Sequence, residues 1–239
     1  MSGHSKWATI KRQKAVTDAK KSASFTKLAK NISVAARNGK DPNMNSALRV
    51  AIEKAREGNM PKDNIERAVL KGAGELPGVT YEEITYEGYA PGGVAVMIEC
   101  VTDNTNRTVQ NLRAIFSDHG GALGSAGSVK FLFDYTGVIR VPFEDQKKSI
   151  EDIELLAIDA GASDIRAEEE GMTILVSKEQ LPTCVSALQK EGVTIVESGV
   201  EWVAKTLTAV EESARESFEA CIAEVEEHDD VNRVFTAAA

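Results

Sequence analysis

The spacing of apolar residues changes period once along this chain, and that change limits what the chain can fold into. Up to Gly72 the apolar side chains recur every three or four residues, the spacing that keeps them on one face of a helix. Phe25, Leu28, Ile32 and Ala36 predict a first helix, stopped by Asn38-Gly39. Leu48, Ala51, Ile52 and Ala55 predict a second, stopped by Gly58-Asn59. Pro61 suits the first turn of a third, striped by Ile65, Ala68 and Val69 and stopped by Gly72. Three short amphipathic helices on short connections predict a small bundle.

Beyond the glycines and proline of residues 72–78 the pattern becomes that of strands. Ile84-Thr85-Tyr86 alternates, residues 88–93 (Gly-Tyr-Ala-Pro-Gly-Gly) predict a turn, and residues 94–101 predict a buried strand. Asp103 or Asn104 is placed to cap a helix carrying Val109, Leu112, Ile115 and Phe116. A glycine-rich loop over residues 120–127 then leads to a predicted strand at 129–133. Next come a strand at 138–141, a helix striped by Ile150, Ile153 and Ala157, strands at 164–167 and 172–176, a helix striped by Leu181, Val185 and Leu188, and a strand at 194–203. That β-α-β-β-α-β order is the split unit of ferredoxin-like folds. An acidic helix with Phe218, Cys221, Ile222 and Val225 on one face follows, then a strand at 231–235.

The expected class is therefore α+β: a three-helix bundle followed by two α/β domains of ferredoxin-like type, one inserted in the other. The expected divisions are residues 1–78 for the bundle and its basic arm, 79–135 with 206–239 for a discontinuous middle domain, and 136–205 for the insertion. The alternative is three domains in simple series, with the last helix packed elsewhere.

The formal net charge is −9, yet it is unevenly distributed. Residues 1–74 hold eleven Lys and five Arg against six acids, a balance of +10, which leaves twelve basic against thirty-one acidic residues beyond them, a balance of −19. Such asymmetry points to a polyanion as partner of the basic part, while the acidic part opposes indiscriminate binding elsewhere. No apolar run approaches the length of a membrane span, and no apolar core follows the basic N-terminus as in a secretory signal. Cys100, Cys184 and Cys221 are widely spaced and form no C-x-x-C pair, which predicts buried thiols in a reducing compartment, the cytoplasm.

Residues 1–40 contain ten basic groups and one acid. Solvated faces usually mix signs, so this segment is expected to neutralise phosphates and release counterions. The expected nucleic-acid-binding residues are Lys6, Trp7, Lys11, Arg12, Lys14, Lys20, Lys21, Lys27, Lys30 and Arg37. Trp7 either stacks on an unpaired base or anchors the arm on the bundle. The glycine loop is no P-loop, because no Gly-Lys-Ser/Thr follows and it leads to a strand, so a simple connection is favoured over a phosphate cradle. Glu87, Asp103 and Arg107 are expected in turns, a helix cap and a surface ion pair rather than in a site. His4, His119 and His228 are too scattered for a metal site or triad, and no paired catalytic carboxylates are evident. No enzyme, cofactor or metal is therefore expected, and an enzyme acting in an inter-domain cleft is the remaining third class.

Gly3-His4-Ser5-Lys6-Trp7, Asp18-Ala19-Lys20, Asn59-Met60-Pro61, Tyr86-Glu87-Gly88-Tyr89-Ala90-Pro91-Gly92-Gly93, Asn104-Thr105-Asn106-Arg107-Thr108 and His119-Gly120-Gly121 resemble the signature runs of the YebC/PmpR family. The resemblance extends over nearly the whole chain and is densest up to Phe133. It implies three domains with the basic helical one first, in a cytoplasmic bacterial protein or a mitochondrial relative. The absence of a transit-like segment before Met1-Ser2-Gly3 favours the bacterial form. It also implies one of two functions: a DNA-binding transcriptional regulator, or a ribosome-associated translation factor that binds ribosomal RNA or mRNA and eases synthesis of difficult sequences such as proline runs.

Overall fold

The computed structural model describes the backbone of residues 18–239 and the side chains from Ser24 onward. The described chain forms two compact units, one running up to Lys130 and resuming at Leu207–Ala239, the other comprising Phe131–Thr206.

The first unit begins with α1 (Asp18–Ala36), α2 (Ser46–Glu57) and α3 (Lys62–Gly72). The four residues Asp18 to Lys21, which precede the apolar stripe that begins at Phe25, thus open α1. The three helices share a core of Ile32, Ala36, Leu48, Ile52, Ala55, Met60, Ile65 and Ala68, with Phe25 and Leu28 packed against it. Asn45 joins two of them. Its side chain accepts the Leu48 N–H as the N-cap of α2 and donates to the carbonyls of Ala35 and Gly39 at 2.7 and 2.8 Å. Gly72 is required by packing, because a Cβ there would lie 2.2 Å from the Ser33 carbonyl oxygen of α1.

The same unit continues with β1 (Glu82–Ala90), a 3-10 turn at Pro91–Gly93, β2 (Val94–Thr102), α4 (Thr105–Asp118) and β3 (Ala122–Leu123). The turn expected over residues 88–93 is therefore confined to its last three, where Gly92 and Gly93 adopt φ of +78° and +73°. β1 runs through Gly88 because β3 lies beside it, and a Cβ at Gly88 would meet the Ala122 carbonyl at 2.7 Å. β2 pairs antiparallel with β1 and with the C-terminal β8 (Val231–Thr236), giving the order β3-β1-β2-β8. The acidic helix α7 (Glu212–Glu227) and α4 pack on this sheet through Leu112, Ile115, Phe116, Phe218, Cys221 and Ile222. β2 is buried along nearly its whole length, and α1 contacts it.

The second unit is β4 (Phe133–Pro142), α5 (Ile150–Asp159), β5 (Asp164–Ala167), β6 (Gly171–Val176), α6 (Leu181–Lys190) and β7 (Glu197–Ala204). Its antiparallel sheet has the order β5-β6-β4-β7, the arrangement of a split β-α-β unit. Ile139, Val141, Ile153, Ala157, Met172, Ile174, Val176, Cys184 and Leu188 fill its core. The expected strand at 129–133 is not formed: Lys130–Leu132 is a 3-10 turn, and β4 starts at Phe133. Tyr135-Thr136-Gly137, which interrupts the apolar pattern, is held extended by pairing with Trp202, Glu201 and Val200 of β7. The mixed α/β class with two four-stranded antiparallel sheets is as the sequence implied, and the β-α-β-β-α-β unit interrupts the first unit between Lys130 and Leu207. Among the described residues no helix is long and apolar enough to cross a membrane.

Candidate nucleic-acid interface

Of the expected binding residues, Lys6, Trp7, Lys11, Arg12 and Lys14 lie outside the described residues, and Lys20 and Lys21 sit on the first turn of α1. Further along α1, three successive polar positions turn inward. The Lys27 ammonium donates to the carbonyl of Glu226 at 2.6 Å. Lys30 donates to the Asp229 carbonyl at 2.8 Å and to Asp230 Oδ1 at 2.6 Å. Asn31 donates to Asn232 Oδ1 at 2.8 Å. Helical spacing places these residues along one side of α1. Together they dock the helix on the turn between α7 and β8. Arg37, past the end of α1, is exposed and donates to the Tyr81 carbonyl.

Asp230 is the centre of this contact. It is 3% exposed, and its second oxygen accepts from Thr102 Oγ1 at 3.1 Å, Thr108 Oγ1 at 2.7 Å and Arg107 Nη2 at 3.1 Å. Burial alone would raise its pKa. The hydrogen bonds from Lys30, Thr108 and Arg107 outweigh burial and hold the carboxyl well below the usual carboxylate range. Burial lowers the pKa of the Lys27 ammonium, against the opposing pull of Asp229 and Glu226. Lys30 also lies 5.9 Å from the centroid of the Tyr81 ring. Lys27 and Lys30, read from the sequence as phosphate contacts, thus have their charges engaged within the fold.

Asp103 and Arg107 meet in an ion pair at 2.6 Å, and Asn104 caps α4 by accepting the Arg107 N–H. Glu87 is elsewhere. Its carboxylate sits under the glycine loop and accepts the N–H groups of Gly127, Val129 and Lys130 at 2.7, 2.9 and 2.8 Å. Burial acts to raise its pKa, but these three backbone donors lower it. The loop is therefore an anion cradle that the chain fills with its own carboxylate. No sequence signal singled out Asp230. A buried acid at the start of an apolar strand shows its role only once its partners, some 120 to 200 residues away, are brought beside it.

The remaining polar chemistry is dispersed. His119 Nε2 lies 2.8 Å from Glu224 Oε2, and His228 Nδ1 accepts the Asp230 backbone N–H at 3.1 Å. The three thiols are free and buried; burial pushes Cys100 up to about 12 and Cys221 to about 11, so neither is a ready nucleophile. Among the described residues no three of His, Cys, Asp and Glu are placed to share a metal ion. The exposed faces of the other bundle helices mix signs: Arg49, Glu53, Lys54, Arg56 and Glu57 on α2, and Lys62, Asp63, Glu66 and Arg67 on α3.

Comparison with known proteins matches residues 5–75 to the TACO1/YebC protein N-terminal domain and residues 81–238 to the TACO1/YebC second and third domain. A protein of Dictyoglomus turgidum named "probable transcriptional regulatory protein" is 46% identical, over 98% of this chain and 94% of its own. One of the same name from Treponema pallidum is 48% identical over 100% and 97%. The crystal structure of a conserved hypothetical protein, Aq1575, from Aquifex aeolicus superposes with a TM-score of 0.83 at 41% identity, covering 94% of this chain and 93% of that one. With both family models matched in order along almost its entire length and relatives close to half identical from end to end, the chain belongs to the TACO1/YebC family.

Proposed function

We propose that this protein is a non-enzymatic, nucleic-acid-binding regulator of gene expression in the cytoplasm. It would act as a DNA-binding transcriptional regulator through the basic segment that precedes and opens α1. The observation that carries this reading is the separation of charge, +10 over residues 1–74 against −19 over the rest. The names of the relatives, probable transcriptional regulatory proteins, support the regulatory part of it. The interface is narrowed to Lys6, Trp7, Lys11, Arg12, Lys14, Lys20 and Lys21, with Arg37 at its margin. Lys27 and Lys30 are left out because their ammonium groups bind Glu226, Asp229 and Asp230.

A second reading is a ribosome-associated factor that binds ribosomal RNA or mRNA, and a specific observation favours it. A DNA-reading helix sets Arg, Asn and Gln toward base edges. The exposed faces of α2 and α3 instead interleave acids with every cation pair. Lysines on a terminal segment suit the phosphates of folded RNA as well as those of a duplex.

The test is a mobility shift with the full chain on duplex DNA and on a structured RNA hairpin, across a range of salt. Replacing Lys6, Lys11, Arg12 and Lys14 with Ala is expected to weaken binding and flatten the slope of log K against log salt on duplex by about 3 to 4, since each phosphate contact contributes roughly 0.9. Preference for duplex supports transcription and preference for the hairpin supports translation. An unchanged slope in the fourfold variant removes the segment as the interface. Trp7→Ala should weaken looped RNA more than duplex if the indole stacks on a base, and both alike if it anchors the arm.

A further inference from the structure

The second unit carries an apolar surface that the proposed function does not use. α5 has the sequence Ile-Glu-Asp-Ile-Glu-Leu-Leu-Ala-Ile-Asp, and its buried side is Ile153 and Ala157. On its outer side Leu155 and Ile158 are 62% and 57% exposed. A β-α-β-β-α-β unit with a filled core has no need of two large aliphatic side chains in water, and each exposed one forgoes roughly 1.5–3 kcal/mol of burial. Asp159, one turn beyond Leu155, lines a shallow groove of about 650 Å³ between α5 and α6. Leu156, Ala160, Pro182 and Ala187 give that groove an apolar, small-residue wall.

Its electrostatics are one-sided. α5 bears Glu151, Asp152, Glu154 and Asp159 and no basic residue. The cations nearby are few: Lys190 lines the groove, and Lys148 is paired with Glu191 at 3.0 Å. A nucleic acid or an anionic membrane surface is repelled by this face. A two-fold dimer through it would set the acids of one copy against those of the other. An occupant must bring apolar side chains for the groove and for Leu155 and Ile158, and positive charge for the rim.

We propose that the α5–α6 face of the second unit docks a cationic amphipathic helix of a protein partner. Its apolar residues seat in the groove and its lysines or arginines lie over Glu151, Glu154 and Asp159. Attraction between exposed charges is screened beyond about 8 Å at physiological salt, so charge alone gives steering and the apolar contact gives residence.

The experiment is fluorescence anisotropy of the full chain with a labelled helical peptide built of leucine and lysine, against a control with glutamate in place of lysine. The lysine peptide should bind and the glutamate peptide should not. Leu155→Ser with Ile158→Ser, and separately Glu151→Lys with Asp159→Lys, should each weaken binding by about tenfold or more, as central interface residues do. All four side chains are exposed, so the variants should keep the thermal transition of the parent chain, checked by circular dichroism. Absence of binding, or binding indifferent to both double variants, overturns the proposal. So does equal binding of the glutamate peptide. Sedimentation velocity of the chain alone gives the last arm: self-association abolished by Leu155→Ser with Ile158→Ser would assign the face to a second copy and overturn it as well.

Discussion

Asp230 accepts from four side chains, and removing it takes the carboxylate from Lys30 while Arg107 keeps its pair with Asp103. Lys30, 10% exposed at its side chain, would be left as a buried cation without its carboxylate, and the Thr102 hydroxyl would lose its acceptor, whereas Thr108 keeps the Asn104 carbonyl. Breaking one partner of a buried pair costs about 3–5 kcal/mol. Asp230→Ala is therefore expected to lower the unfolding free energy by about 3–5 kcal/mol, read from the midpoint and slope of urea unfolding. Lys30→Met should cost less, because Arg107 and the two threonines still satisfy Asp230 while the methionine fills the lysine's apolar path. Equal losses in the two variants would argue against the hub. Its neighbour His228 gives a pH test. Burial, the largest influence, lowers its pKa below the ordinary histidine value, against Asp230 and Asp229, so the fold favours the neutral ring whose Nδ1 accepts the Asp230 N–H. The unfolded chain then takes up the proton first as pH falls below about 6.5, and stability declines from there down to the lower pKa of the folded state. His228→Asn, whose side-chain oxygen can accept the same N–H, should flatten the change in urea midpoint between about pH 7 and pH 5.5. The depressed Asp230 titrates far below that window and does not obscure it.

At the scale of elements, the glycine loop shows why a sequence reading can find a feature and miss its use. Four glycines between His119 and Ser128 announce a loop with free backbone N–H groups, and Glu87 stands some forty residues away with nothing to link the two. The link is topological: β3 pairs with β1 at Gly88 and Tyr89, and that register carries the loop over the preceding carboxylate. Glu87→Gln removes the charge and one of the two acceptor oxygens, leaving a donor against the backbone N–H groups of Gly127, Val129 or Lys130. Hydrogen bonds to charged groups contribute about 1.5–3 kcal/mol, so a loss of that order is expected. Amide exchange should quicken across residues 124–130 first; unchanged protection there would show that the loop holds itself. The helices were legible because each repeats one face over ten or more residues. Of β4 only the expected stretch 138–141 was legible, because Tyr135-Thr136-Gly137 keeps its extended form by pairing with β7 and β6, partners set by the tertiary fold. On α1, the periodicity of Phe25, Leu28 and Ile32 located the apolar face. It could not show that Lys27 and Lys30 flank that face and point into the α7–β8 turn.

For the whole molecule, the two units differ in how far each depends on chain from elsewhere. The bundle and the first sheet share their ion pairs: α1 is bonded to the turn before β8, and β2 takes one edge partner from the last six-residue strand of the chain. Cutting after the third helix would expose Lys30 and leave β8 and the hub behind, so the bundle is expected to bind nucleic acid when isolated but to be less stable than in the intact chain. The second unit is built differently. Its β-α-β-β-α-β elements, its four-stranded order and its core, from Ile139 to Val193, lie within Phe131–Thr206. A segment of this length buries a smaller share of its surface than a larger domain, yet many domains of about 55–65 residues fold alone. Arg140 adds a bidentate pair to Glu201, at 2.9 and 2.7 Å, between neighbouring strands of the same segment. The excised segment 131–206 should therefore melt in one cooperative transition by circular dichroism and show no shift of DNA or RNA, being without the basic region. A broad, non-cooperative melt would mean that this unit draws its stability from the rest of the chain. Retention of nucleic acid by it would overturn the assignment of binding to the N-terminal cations, because no other part of the chain concentrates positive charge as residues 1–40 do.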